Sequence, residues 1–303
     1  MLALSMKHLR YFESLARLRH FGRAAEDSAI SQPALSMQIK EMEALIGAPL
    51  VERGTRQIRL TALGEDFATR IIEILRQVNE LEDLARASQS PLLGRLRIGV
   101  IPTVAPYLLP AIVADLTKRY PQLDLRPREA VTQKLIADIS ESRLDAAIVA
   151  LPVSEASLEE VVLFEEEFVL VRPQSEAGAP VPDAKSLREM RLLLLEEGHC
   201  FRDQALAFCK MSSAAPRDLM EGSSLATLVQ MVGAGIGVTL VPEMALGLET
   251  RNAEVSIARL AAPRPTRKIG MVWRKSNPLA AEFGRIAERV REIGVEKAAR
   301  LAP

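Results

Sequence analysis

The chain of 303 residues contains two cysteines, Cys200 and Cys209, nine positions apart. A thiol becomes a nucleophile, and a target for oxidants, only as its thiolate. The string from Gly198 to Cys209 follows an apolar run and reads as a turn opening a helix over Cys200–Lys210. Cys200 then falls at the helix start, where the positive end of the helix dipole, with His199 and Arg202 adjacent in sequence, lowers a thiol pKa. A helix running through to Cys209 separates the two residues by about 13.5 Å of rise and about 900° of turn, which places them on opposite faces. A disulfide needs Cα atoms within about 7 Å. Helix and disulfide therefore exclude each other. Either the helix stands with free thiols, or Cys200 oxidises to a sulfenic acid that Cys209 reaches only after the helix unwinds. The alternative makes Cys209 a small buried hydrophobe beside Phe208 and Cys200 an inert thiol.

Other reactive constellations are missing from the sequence. Three histidines, His8, His20 and His199, are widely scattered, and no CxxC or HExxH spacing occurs, so neither a metal nor a cofactor is expected. Lys and Arg number 39 and Asp and Glu 39, which excludes a wholly polybasic protein and leaves nucleic-acid contact to a locally basic module. Residues 1–60 are such a module, with nine basic side chains against six acidic ones. The longest uncharged stretch, Gly222–Val241, is broken by Ser223, Ser224, Gln230 and three glycines after it, a poor membrane span. With no apolar leader before Phe12 and Glu13, the expectation is a cytoplasmic protein without membrane contact.

The elements that would position DNA-reading side chains lie near the N-terminus. Phe21–Ser28 reads as a short helix, Ala29-Ile30-Ser31 as a tight turn, and Ser31 as the cap of a second helix with Pro33 in its first turn. On that helix Leu35, Ile39, Met42, Leu45 and Ile46 form an apolar flank. Gln32, Ser36 and Lys40 recur at i, i+4, i+8 on a polar flank suited to a major groove. Arg53-Gly54-Thr55-Arg56 is a basic turn between Pro49–Glu52 and Ile58–Leu60, a β-wing whose Arg53 and Arg56 could reach phosphates or a minor groove. Thr61 caps a helix expected to run to Ala87, with an apolar stripe of Ile71, Ile74, Leu75, Val78, Leu81 and Ala85 that calls for a partner. From Arg95 onward, strand and helix patterns alternate, which indicates a two-lobed α/β region with a ligand-sized cleft.

Ser31-Gln32-Pro33-Ala34-Leu35-Ser36-x-Gln38-Ile39-x-x-Met42-Glu43, then Gly47-x-x-Leu50-x-Glu52-Arg53, resembles the DNA-binding head of LysR-type transcriptional regulators. The resemblance implies an α/β multidomain fold: a winged helix-turn-helix at 1–60, a linker and dimerisation helix at 61–90, and a two-lobed, Rossmann-like regulatory region at 95–303, similar to periplasmic binding proteins. Lobe 1 is expected at about 95–165 plus 268–303, and lobe 2 at about 166–267. Pro33 joins Gln32, Ser36, Lys40, Arg53 and Arg56 as a DNA-contact candidate. Glu197-Gly198-His199-Cys200-x-Arg202-Asp203-Gln204-Ala205-x-x-Phe208-Cys209, with Ile101-Pro102-Thr103-Val104-x-Pro106, is similar to the peroxide-sensing branch of that family.

That likeness implies that Cys200 is the peroxidatic thiol and Cys209 the resolving one. It also makes His199, Arg202, Thr103 and Thr132 candidates for positioning or activating hydrogen peroxide. Thr132 could instead be a helix N-cap, Asp203 a partner of Arg202, and Arg274 a source of charge in the cleft. Further implications are a homo-oligomer, dimer or tetramer, on double-stranded promoter DNA, contact with RNA polymerase, and a sensor rather than an enzyme. Two rivals are a LysR-type regulator responding to a small effector between the lobes, with the cysteines incidental, and a thiol peroxidase or transport-type binding protein without a DNA function.

Overall fold

The computed structural model describes residues 4–52, 58–89, 94–209 and 220–301. Two compact units, Met1–Glu82 and Asp83–Pro303, account for the chain. In the first, α1 (Met6–Leu18), α2 (Phe21–Asp27) and α3 (Gln32–Ile46) surround Phe12, Leu15, Ala24, Leu35, Ile39 and Met42. Each start has a sequence cause. Ser5 and His8 form a reciprocal capping box on α1, and Ser31 accepts the Ala34 N–H at 3.3 Å with Pro33 in the first turn of α3. Gly47, at φ +80, ends α3 in the left-handed region that glycine enters without cost.

A two-stranded antiparallel ribbon follows, β1 (Val51–Glu52) against β2 (Arg59–Leu60), with Val51 opposite Leu60. The turn residues Arg53 and Arg56 lie outside the described residues. Thr61 then caps α4 (Ala62–Gln89) by accepting the Gly64 N–H at 3.0 Å. The apolar stripe of α4 is split rather than continuous: Ile71 and Leu75 pack into the head core, while Ile74 and Leu81 are exposed, as is Leu84 outside the stripe.

The second unit is built on a seven-stranded sheet and a separate two-stranded parallel one, with two cores. It contains β3 (Gly94–Val100), α5 (Ala105–Arg119), β4 (Leu123–Glu129), α6 (Thr132–Ser140), β5 (Ala146–Leu151) and β6 (Leu158–Pro173). Beyond these come α7 (Ala184–Leu187), β7 (Leu193–Leu195), α8 (Cys200–Phe208), β8 (Met220–Gly222), α9 (Leu225–Gly233), β9 (Thr239–Pro242), α10 (Leu246–Glu249), β10 (Val255–Arg259), β11 (Thr266–Arg274) and α11 (Ala280–Leu301). Strand order is β10-β6-β11-β5-β3-β4, with β9 also paired to β6. The β3 strand runs parallel to β4 and β5, Leu96 opposite Leu125 and Ile98 opposite Ala146.

The β6 strand belongs to both cores. Its first part pairs antiparallel with β11, Leu158 to Glu167 against Arg274 to Thr266, and buries Leu163 in a core shared with β3, β5, α5 and α11. Its second part pairs with β9 and β10 and buries Phe168, Leu170 and Val171 in a core shared with β7, α8 and α9. The first core, with α11, is called lobe 1 below, and the second lobe 2. No helix among the described residues is long and apolar enough to cross a membrane.

Candidate functional site

Cys200 occupies the first position of α8, with His199 as N-cap, and the helix continues without a break to Cys209 at its C-cap. The whole interval is helical and both cysteines are free thiols. Their surroundings differ. Cys200 is partly exposed and packs against the lobe 1 core, whereas Cys209 is fully buried in the lobe 2 core beside Ala205 and Leu206. Burial pushes the Cys209 thiol above its ordinary pKa against a weaker opposite pull from Arg188, whose Nε donates to the Cys209 carbonyl.

The buried polar groups among the site candidates and their neighbours fall into satisfied and unsatisfied ones. Thr103, 2% exposed in the β3–α5 turn, accepts at Oγ1 from Arg267 Nη1 at 2.8 Å and at its carbonyl from Arg267 Nη2 at 3.0 Å. Arg267 also donates from Nε to Glu166 at 2.8 Å, and its guanidinium carbon stands 5.4 Å from the ring centroid of Phe201, the residue after Cys200. By contrast His199 Nδ1, Thr132 Oγ1 and Gln204 Oε1 are buried atoms with no hydrogen-bond partner. Glu129, at the end of β4 shortly before Thr132, is close enough for its charge to act on His199. Burial outweighs the pulls of Glu196 and Glu129 and holds the imidazole below its ordinary value of 6.5, which favours its neutral form.

Several expectations are corrected by these contacts. Arg202 does not bring its charge to Cys200: the side chain is buried and Nη1 donates to the Leu195 carbonyl at 3.0 Å and to Glu221 at 2.6 Å. That pair ties the first turn of α8 to β7 and β8. Asp203 is exposed, and the acid paired with Arg202 is Glu221 rather than its sequence neighbour. Thr132 is not an N-cap, because Val131 holds that position without a side-chain bond and Thr132 begins α6. Arg274 serves no cleft: Nη1 donates to the Ile139 carbonyl at 2.7 Å and to Ser142 Oγ at 2.6 Å, closing the end of α6. A cation that sequence reading missed, Arg267, stands over the ring of Phe201, next to Cys200 in sequence. Its place near the start of β11 is no signal by itself, because nothing local shows which way its side chain points.

On the head, Gln32, Pro33 and Lys40 are exposed and Ser36 is half-buried, while Leu35, Ile39 and Met42 face the core. Leu45, read as part of the apolar flank, is exposed, as is Met37 beside the polar one. The Glu43 carboxylate accepts the N–H groups of Leu50 at 2.9 Å and Val51 at 3.1 Å, which fixes the ribbon to α3. Among the described residues no group of three or more His, Cys, Asp or Glu is placed to hold a metal ion.

Comparison with known proteins finds the lysR-family bacterial regulatory helix-turn-helix domain over residues 6–65 and the LysR substrate binding domain over residues 89–293. A probable hydrogen peroxide-inducible genes activator of Streptomyces viridosporus is 41% identical over 292 residues, covering 95% of this chain and 94% of the relative. The DNA-binding transcriptional dual regulator OxyR of Escherichia coli is 38% identical over 291 residues, 95% of each chain. Among solved structures, a full-length OxyR variant from Pseudomonas aeruginosa aligns with a TM-score of 0.69 at 34% identity, covering 95% of both chains. A peroxide-bound OxyR variant from Corynebacterium glutamicum aligns with a TM-score of 0.67 at 32% identity, covering 98% of this chain and 94% of that one.

Proposed function

The chain belongs to the LysR family of helix-turn-helix transcriptional regulators, and from that membership we propose that it is a hydrogen-peroxide-responsive activator acting as a cytoplasmic homo-oligomer on promoter DNA. It is a regulator and not an enzyme; its thiol chemistry serves sensing. The Cys200 thiolate attacks one oxygen of hydrogen peroxide, the S–O bond forms as the O–O bond breaks, and the departing hydroxide takes a proton to leave as water. Cys209 then gives up its proton and attacks the sulfenic sulfur, the S–S bond forming as the S–O bond breaks, and the departing hydroxide takes that proton to leave as a second water.

The observation that carries this reading is the pairing of a thiol at a helix N-terminus with unpartnered buried polar atoms on His199 and Thr132. Neutral His199 Nδ1 and the Thr132 hydroxyl can exchange hydrogen bonds with HOOH, which is both donor and acceptor. Arg267 holds Thr103 and stands over the ring of Phe201, the residue after Cys200, and the helix dipole favours the thiolate. Arg202 acts by holding the first turn of α8 in place.

Because the two thiols sit in different cores at opposite ends of a continuous helix, linking them requires α8 to unwind. That rearrangement alters how copies pack and so the spacing of their heads. The exposed Ile74, Leu81 and Leu84 of α4 support contact between two copies. In each head Gln32, Pro33, Ser36 and Lys40 address the major groove, and Arg53 and Arg56 the backbone or minor groove. Activation proceeds through contact with RNA polymerase.

Treatment of the full-length protein with one equivalent of peroxide, followed by peptide mapping, is expected to link Cys200 and Cys209 within one chain. Promoter footprints are expected to change with peroxide in the native protein and to stay fixed in Cys200→Ser. A peroxide response preserved in Cys200→Ser overturns the redox reading in favour of an effector bound between the lobes.

A further inference from the structure

The helix α3 carries a long apolar side chain that the packing of the head does not use. At about 100° per residue, Met37 points about 170° away from the mean direction of the buried Leu35, Ile39 and Met42. It is therefore the outermost side chain of the helix, and it is 62% exposed. Pro33, one turn earlier, and Ala44, two turns later, are exposed on the same line, so the outward side of α3 is an apolar ridge. Met37 takes no part in the core that holds Leu35, Ile39 and Met42. A single exposed apolar side chain is ordinary on a surface that faces only water. On the outward side of a helix that enters a groove it becomes a contact.

The two sides of this ridge are unequal. On one side Gln38 donates to Glu41 at 2.9 Å, and the Glu41 carboxylate also stands 3.9 Å from His8 Nε2, so amide and acid are engaged within the head. On the other side, Gln32, Ser36 and Lys40 have no side-chain hydrogen bond or ion pair among the described residues. The free polar groups and the ridge of Pro33 and Met37 are thus neighbours on one surface. A groove that receives Gln32, Ser36 and Lys40 receives Met37 with them.

We infer that Met37 is a specificity-determining residue of the head, its thioether packing on the C5-methyl group of a thymine in the major groove. The inference rests on the reading of α3 as the helix that enters the groove, and not on the thiol chemistry. Every base pair displays donors and acceptors in the major groove, and thymine alone adds an apolar group, its methyl. Over the amino group of cytosine, or over O6 and N7 of guanine, a thioether displaces water and returns no comparable hydrogen bond. Over the thymine methyl the same side chain buries apolar surface on both partners. Methionine suits such a contact, because it is unbranched, flexible and polarisable. Glutamine pairs bidentately with adenine in the same groove, so Gln32 and Met37 together favour half-sites with A·T pairs beneath the start of α3.

The probes are duplexes enriched from a randomised pool by the reduced full-length protein, with each thymine of an enriched site then replaced in turn by deoxyuridine. Deoxyuridine keeps the base pair and the O4 acceptor and lacks only the methyl group. Affinities are measured by fluorescence anisotropy at one fixed salt concentration. In the native protein, at least one thymine of each half-site is expected to lose about fourfold in affinity on replacement, the value of one buried methyl group. Met37→Ala, at an exposed position and checked for an unchanged Tm, is expected to bind the thymine duplex about fourfold or more weakly and to be indifferent to deoxyuridine at those positions. A general loss of DNA affinity would weaken both duplexes alike, so the ratio of thymine to deoxyuridine affinities isolates the contact. Enriched sites in which no thymine is sensitive, or sensitivity that is unchanged in Met37→Ala, overturn the proposal and leave the DNA reading standing. Failure to enrich any site overturns both.

Discussion

At the residue scale, the decisive side chains differ in how far their partners lie along the chain. Cys200, His199 and Cys209 are local to one helix, and their spacing alone stated the conflict between helix and disulfide. Arg202 and Arg274 were read as charges for the site because a sequence shows a cation but not the carbonyls and carboxylates that will consume it. Arg267 is the reverse case, a strand residue whose guanidinium joins Thr103, Glu166 and Phe201 only after folding. His199 carries a pH prediction. Its folded pKa is lowered by burial, so between that value and the ordinary 6.5 the unfolded chain binds more protons and stability rises with pH. Conversely, stability is lost as pH falls below about 6.5. His199→Asn is expected to remove that component, so urea-denaturation free energies of native protein and variant should diverge as pH falls below about 6.5. Parallel curves would show that this imidazole is not the titrating group.

At the element scale, ends with a chemical cap were legible and ends set by packing were not. Ser31 with Pro33 and Thr61 placed the starts of α3 and α4 to within one residue. The alternation of strand and helix from Arg95 onward fixes no such ends: α11 runs from Ala280 to Leu301, and β6 is a single 16-residue strand. That strand alternates against β11 and is then buried on both faces, so one periodicity test sees two elements. The link between α3 and the ribbon is another tertiary detail: Glu43 was read as part of a family motif, and its work is to accept two N–H groups across the turn at Gly47. Glu43→Ala leaves both donors unpaired at the base of the wing and is expected to destabilise the head by about 2 kcal/mol, measured by thermal unfolding of the full-length protein. A variant as stable as the native protein would mean that water replaces the carboxylate.

At the scale of the whole molecule, the two cysteines report on two hydrophobic cores joined by a strand common to both. Unwinding α8 removes Phe201, Ala205 and Leu206 from lobe 2 and breaks the contacts of Arg202 with Leu195 and Glu221. Hydrogen exchange is therefore expected to quicken across 200–209 and 193–195 after peroxide treatment, while β3, β5 and α11 of lobe 1 stay protected. Cys209→Ser, which can form the sulfenic acid but not the link, is expected to keep the native exchange pattern. Uniform protection in the oxidised native protein would refute the unwinding.

The order of elements, the head with its capped recognition helix, and the incompatibility of an intact helix with a Cys200–Cys209 bond were determined by the sequence, because caps, periodicity and helix rise act over a few residues. Tertiary structure decided which cations are spent, and it alone created the division of two neighbouring thiols between separate cores. Those depend on where distant segments meet, and burial and charge pairing take their energies from that meeting rather than from the order of residues along the chain.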